Sequence, residues 1–176
     1  MNISGQFRKV SQKRLFLTAW ALSAMLVFMA ANAGSRAGTL ASAGDLTRDA
    51  MIAEQDKKPI LVFFSSESCA YCEIVRDLYL EPMQADKAYD NKVIIREVSI
   101  ESISDIIDFQ GKRMDQETFA DQEGATLTPV IRIYSPTGEL LTPELIGYSS
   151  PDFYLGFLED SIEAARNKLR KLAANN

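Results

Sequence analysis

Cys69 and Cys72 are the only thiols in the chain, and Ala70 and Tyr71 stand between them. At the start of a helix this spacing brings both sulfurs within disulfide reach and puts the first at the helix N-terminus. Unpaired backbone N–H groups and the helix dipole favour a thiolate there, and the thiolate is the species that attacks a disulfide. The pattern therefore offers thiol–disulfide exchange, in which Cys69 attacks, a mixed disulfide forms and Cys72 resolves it. Two other uses compete. A static bridge would suit an exported protein, but so small a loop removes little unfolded-state entropy and adds little stability. A metal half-site would need further ligands.

The rest of the composition narrows the chemistry. There is no histidine, which removes Ser–His and Cys–His nucleophiles and imidazole ligands. Two cysteines alone cannot complete a zinc site, so one would need carboxylates or a second chain. The net charge is −5, and every charge before Asp45 is basic: Arg8, Lys9, Lys13, Arg14 and Arg36. The remainder is thus more acidic than the total, and an acidic domain gains nothing from counterion release on nucleic acid. No cofactor is expected beyond a redox-active Cys69–Cys72 disulfide.

Around the cysteines the elements read as one α/β domain. Leu46, Ala50, Ile52 and Ala53 share a helical face, with Asp45 or Thr47 as cap. Lys57-Lys58-Pro59 ends that helix, and Ile60–Phe64 is a continuous apolar run suited to a strand buried on both faces. A polar loop over 65–68 leads to a helix opened by Cys69, running through Val75, Arg76 and Tyr79 and bounded by Pro82. Residues 93–98 read as a second strand. Residues 101–124 are acidic and helix-prone in parts, interrupted at Gly111. Residues 130–134 form a third strand, and the turn 135–138 leads into Glu139-Leu140-Leu141 as an antiparallel partner. A long amphipathic helix spans 150–172. This order gives a central mixed sheet flanked by helices on both faces.

Secondary candidates read as structural. Glu97, Glu101, Asp105 and Asp108 are spaced as a solvated helix face. Tyr148, Phe153, Tyr154 and Phe157 read as core at helical spacing. Lys168 to Lys171 complement a helix C-terminus.

The N-terminus carries an address. Residues 1–14 are polar and basic, 15–31 are uncharged and mostly apolar, and Ala31-Asn32-Ala33 precede Gly34. That is the order of a secretory signal over 1–33, with a mature start near Gly34. Left uncut, the same stretch is an anchor, because ~20 helical residues at ~1.5 Å each just cross a ~30 Å hydrocarbon core. Either way the domain is expected outside the cytoplasm, in the periplasm. Residues 34–44 read as a linker and 45–176 as the domain.

From Asp45 to Leu172 the chain resembles the thioredoxin superfamily. The resemblance rests on Lys58-Pro59, the strand Ile60–Phe64, Cys69-Ala70-Tyr71-Cys72, Thr128-Pro129 before a strand, and Gly147 after the hairpin. It implies a thioredoxin fold in which Pro129 is cis, faces the cysteines, and leaves the Thr128 backbone to bind the substrate chain. Ala70 and Tyr71 would also touch substrate. Within the superfamily the chain is similar to exported thioredoxins of the sulfur-oxidation type. It shares with them the CxYC centre, a Leu80-Glu81-Pro82 stop, the segment 108–112 and a helix over Phe119 to Gly124. It also departs from the family. Ser68 replaces the usual Trp, and Phe63 stands where the family has a buried Asp beneath the cysteines. Glu67 or a water substitutes, or the resolving thiol loses its proton more slowly. Arg96 falls near the family's buried Lys and reads as a solvated strand-end residue.

The resemblance implies a thiol–disulfide oxidoreductase. A monomeric reductase is expected, supplied with electrons by an inner-membrane thiol transporter and acting on disulfide-containing or thiol client proteins of the periplasm. An oxidase or isomerase with an oxidising potential is one alternative; a binding adaptor with a static disulfide is another.

Overall fold

The computed structural model describes residues 39–174. The proposed export segment 1–33 and the first part of the linker lie outside the described residues. Helix α1 (Leu46–Asp56) starts at Asp45, whose carboxylate accepts the Arg48 N–H, and ends at Lys57, which turns left-handed at φ 54°. Strand β1 (Ile60–Ser65) is buried at every position. A helical run follows in three pieces: α2 (Ala70–Val75), a π-helical turn (Arg76–Leu80) and α3 (Glu81–Ala85).

Pro82 therefore does not stop the helix, as the sequence led us to expect. It sits inside the continuous run, just after the π turn, which has already shifted the hydrogen-bond pattern and so accommodates a residue without an N–H. The preceding π turn widens the backbone, with the Glu81 N–H reaching back to the Arg76 carbonyl. Asp86 ends the run and caps the short α4 (Lys87–Asp90), and β2 (Ile94–Ser99) follows.

The stretch 101–124 is only partly helical. It forms a hairpin, β3 (Asp105–Ile107) with β4 (Arg113–Asp115), and then α5 (Gln116–Glu123). Asp108 closes the hairpin turn: it is buried, and its Oδ1 accepts the N–H groups of Gln110 and Lys112 at 2.9 and 2.8 Å. Strands β5 (Val130–Tyr134) and β6 (Leu145–Ile146) precede the long α6 (Pro151–Ala174).

The main sheet has the order β2-β1-β5-β6. β1 pairs parallel with β2 and antiparallel with β5, and β5 pairs antiparallel with β6. The expected return strand at 139–141 makes only one bridge, Tyr134 to Leu140. The regular pairing resumes at Leu145, past Pro143, which has no N–H to give a ladder. The linker expected over 34–44 also ends earlier. The backbone of Ala41 and Ala43 bonds both sides of Glu97 at 2.8 Å, covering the outer edge of β2, and Leu40 and Ala43 are buried.

Alternation along β1 divides the core. Leu61 and Phe63 face Cys72, Val75, Leu80 and Leu158, whereas Ile60, Val62 and Phe64 face Leu46, Ala53 and Phe119. The sheet is thus covered on both faces. The same period separates two neighbouring charges. Arg96 pairs in register with Val62 and meets Asp49 through two bonds of 2.8 and 2.6 Å on the α1 side. It is a paired, largely buried side chain rather than a solvated one. Glu97 pairs with Phe63 and so lies on the α2 side. There it accepts from Arg76 Nη2 at 2.5 Å and from Ser65 Oγ at 2.5 Å. The acidic residues expected on one helix face are therefore dispersed. Glu97 and Asp108 are paired or buried, and Asp105 and Glu101 are exposed on β3 and the turn before it.

Two expected outcomes follow from this packing. Gly138 has φ 83°, and a Cβ there would lie 2.9 Å from Phe109 Cβ. Gly138→Ala should lower stability by about 2–4 kcal/mol, read from the urea midpoint at unchanged m. Glu97→Ala, which strands Arg76, should cost about 2–4 kcal/mol. The double replacement Arg76→Met with Glu97→Met should cost less than Glu97→Ala alone; a larger loss would show that the pair itself, rather than the stranded charge, carries the stability.

Candidate active site

The central strand ends at Ser65, and the loop Ser66–Ser68 delivers Cys69 to the N-cap of α2. Cys69 keeps extended backbone, φ −98° and ψ 95°, so the first free N–H groups of the helix point at its side chain. The Cys72 N–H donates to Cys69 Sγ at 3.0 Å. The two sulfurs are bonded, with Cα atoms 5.1 Å apart. Their exposure differs: Cys69 is half-buried, whereas Cys72 is fully buried against Phe63, Val75 and the α6 side of the core. Ala70 and Tyr71, one step along the helix, are exposed.

A second segment closes in from β5. The Thr128–Pro129 peptide is cis, and Thr128 Oγ1 lies 3.1 Å from Ser66 Oγ in the loop before the cysteines. Pro129 is buried. A third segment is fastened to the second, because Gly147, left-handed at φ 75°, donates its N–H to the Pro129 carbonyl at 2.8 Å. That turn presents Tyr148 toward the disulfide: the Tyr71 and Tyr148 rings lie 6.0 Å apart and only 30° from parallel. The structure thus gathers Cys69, Ala70, Tyr71, Cys72, Thr128 and Pro129 at one end of the sheet.

Tyr148 is anchored in turn. Its hydroxyl is 3.2 Å from that of Tyr79, and both rings pack on Tyr154. The Tyr79 hydrogen bond is the main reason the Tyr148 hydroxyl is pushed up to about 12. Burial pushes Tyr154 upward as well, and its hydroxyl has no hydrogen-bond partner among the described residues. Of the aromatic residues expected in the core, Tyr154 is buried, but Phe153 and Phe157 are exposed on the outer face of α6.

Beneath the helix, Phe63 fills the place where the resembling family has an acid, and the Arg76 guanidinium lies 5.9 Å from its ring centre. Glu97, in register with Phe63, holds that guanidinium. Glu67 lies instead in the exposed loop, its N–H bonded to the Glu101 carboxylate at 3.2 Å. Sequence reasoning missed Ser66, Tyr79 and the Arg76–Glu97 pair as neighbours of the site, since each contact joins residues far apart in the chain. Among the described residues no group of three His, Cys, Asp or Glu side chains is placed to hold a metal.

The arrangement can exchange a disulfide: an accessible sulfur under helix N–H groups, a shielded second sulfur, and an adjoining strand end. Solved thioredoxin-fold structures are similar to the chain at low sequence identity. A thioredoxin of Fasciola hepatica is 14% identical over 70% of this chain and 97% of its own, with a TM-score of 0.49. Mitochondrial thioredoxin 3 of Saccharomyces cerevisiae, in its oxidised form, is 16% identical over 70% and 93%, with a TM-score of 0.46. A thioredoxin-fold protein of Helicobacter pylori is 18% identical over 69% and 88%, with a TM-score of 0.42. No curated protein sequence matches the chain significantly. The family model described as a thioredoxin-like domain matches residues 46–162, from the first residue of α1 into α6 and across both cysteines. The chain belongs to this thioredoxin-like family, has the thioredoxin fold, and is by its Cys-x-x-Cys pair a thiol–disulfide oxidoreductase.

Proposed function

We propose that the protein is a periplasmic reductase of client-protein disulfides. The observation that carries this reading is the asymmetry of the pair, with Cys69 half-exposed at the helix cap and Cys72 fully buried behind it. The Cys69 thiolate attacks one sulfur of a client disulfide; that S–S bond breaks, and the departing client sulfur takes up a proton. Cys72 then loses its proton and attacks Cys69 Sγ. This step expels the second client sulfur as a thiol and leaves the protein disulfide. Two electrons pass to the client, no bound cofactor takes part, and a thiol donor must restore the dithiol. An inner-membrane thiol transporter is the donor suited to that compartment. The peptide groups of Thr128 offer the client backbone a place to pair.

The charges beside the cysteines favour reduction over oxidation. A strongly oxidising pair owes its potential to a stabilised thiolate in the reduced form. Here the segment 65–74 contains Glu67 and Glu73 and no cation. Carboxylates beside Cys69 oppose the helix N-terminus, limit thiolate stabilisation and hold the potential low. The export reading rests on the basic, apolar and Ala31-Asn32-Ala33 order of the N-terminus.

Two measurements test the reading. A Cys72→Ser variant expressed with its own N-terminus should accumulate mixed disulfides with periplasmic proteins, and Cys69→Ser should accumulate none. Trapping by Cys69→Ser instead would reverse the roles of the two thiols. Intact mass of the periplasmic protein should place the first residue near Gly34, whereas a full-length, membrane-bound form would show that the segment anchors the domain.

A further inference from the structure

The surface around the disulfide has a composition of its own. Tyr71, Leu127 and Ile146 are exposed there at 58, 64 and 59%. Each belongs to one of the three converging segments, and Tyr148 backs the first of them. Leu127 precedes the Thr128–Pro129 turn, and Ile146 pairs with Val130 at the start of β5. The three segments that meet at this end of the sheet thus each present an exposed apolar side chain, which together make an apolar shelf.

The segments that form and border that surface carry exposed carboxylates and no cation. The segments 65–74, 99–104, 125–131 and 144–160 contain no Lys or Arg. Within them Glu67, Glu73, Glu101 and Asp152 are exposed, and none of the four makes an ion pair among the described residues. They arrive from different parts of the chain: the loop before Cys69, the first turn of α2, the turn after β2 and the first turn of α6. Arg76, four residues beyond Cys72, has its charge taken by Glu97. Like charges gathered without counter-ions around a reactive centre raise the local concentration of oppositely charged reactants and repel the rest.

We propose that this face selects, as substrate, a disulfide in a basic polypeptide segment that also carries a large apolar side chain beside its cysteine. The apolar side chain lies on the Tyr71–Tyr148 shelf while Lys or Arg residues flanking it face Glu67, Glu73, Glu101 and Asp152. The inference deepens the reductase reading and rests on it. Electrostatic complementarity acts chiefly on the encounter rate, and apolar contact on residence.

The test uses the reduced protein and synthetic peptides with one internal disulfide, differing only beside the cysteine: Lys with Phe, Glu with Phe, and Lys with Ala. Hydroxyethyl disulfide serves as the uncharged reference. At low salt the Lys–Phe peptide should react about tenfold faster than the Glu–Phe peptide, with the ratio approaching one near 1 M salt, where the screening length is ~3 Å. Carrying Glu67→Gln, Glu73→Gln, Glu101→Gln and Asp152→Asn together should abolish that ratio. Tyr148→Ala should abolish the advantage of Lys–Phe over Lys–Ala. A change in the thiol itself would alter all peptide rates in parallel and leave the ratios untouched. Equal peptide rates beside normal reaction with hydroxyethyl disulfide would overturn the docking proposal and leave the reductase reading standing. So would a dimer in sedimentation whose face is closed to peptides. No reaction with any disulfide would overturn the reductase reading, and the proposal with it.

Discussion

The Cys72 N–H points at Cys69 Sγ from 3.0 Å, and most of the molecule serves to hold that geometry. It exists because Cys69 sits at a helix cap rather than inside the helix, where its side chain meets free N–H groups. The cap in turn is fixed by β1, a strand paired on both edges and buried at every position. A strand so enclosed has little freedom to shift, so the loop at its end delivers the sulfur to a defined place. The helix is pinned from the other side by the Arg76–Glu97 pair, which ties its second turn to β2.

The cis Thr128–Pro129 turn and the Gly147 turn depend on the same sheet. β5 carries the first, β6 pairs with β5, and the Gly147 N–H binds the Pro129 carbonyl. Three segments separated widely in sequence thus reach one sheet end through strand pairing alone. Tyr79, Tyr148 and Tyr154 extend this framework into α6, so the aromatic surface beside the disulfide rests on a packed base and not on a free loop.

Local signals in the sequence were sufficient where one element decides its own fate. The apolar run Ile60–Phe64 has one stable use, and a Cys-x-x-Cys after it specifies the helix cap. The signals misled where the outcome depends on partners. Pro82 reads as a stop, yet a π turn ahead of it accommodates the ring. Residues 101–124 read as helix-prone in parts, yet Asp108 and Gly111 close a hairpin before the helix begins. Arg96 and Glu97 looked like solvated charges because each needs a partner from another element, Asp49 from α1 and Arg76 after α2. The same limit hid the exposed carboxylates near the site, which are dispersed along the chain.

We propose that the Cys69–Cys72 pair is a reducing couple whose acidic surroundings hold its potential low. Equilibrating the protein with glutathione and dithiothreitol buffers measures the potential directly. A reducing couple of this kind gives a value close to that of thioredoxin, about −270 mV. A value near about −120 mV, that of a strong disulfide oxidant, would contradict it.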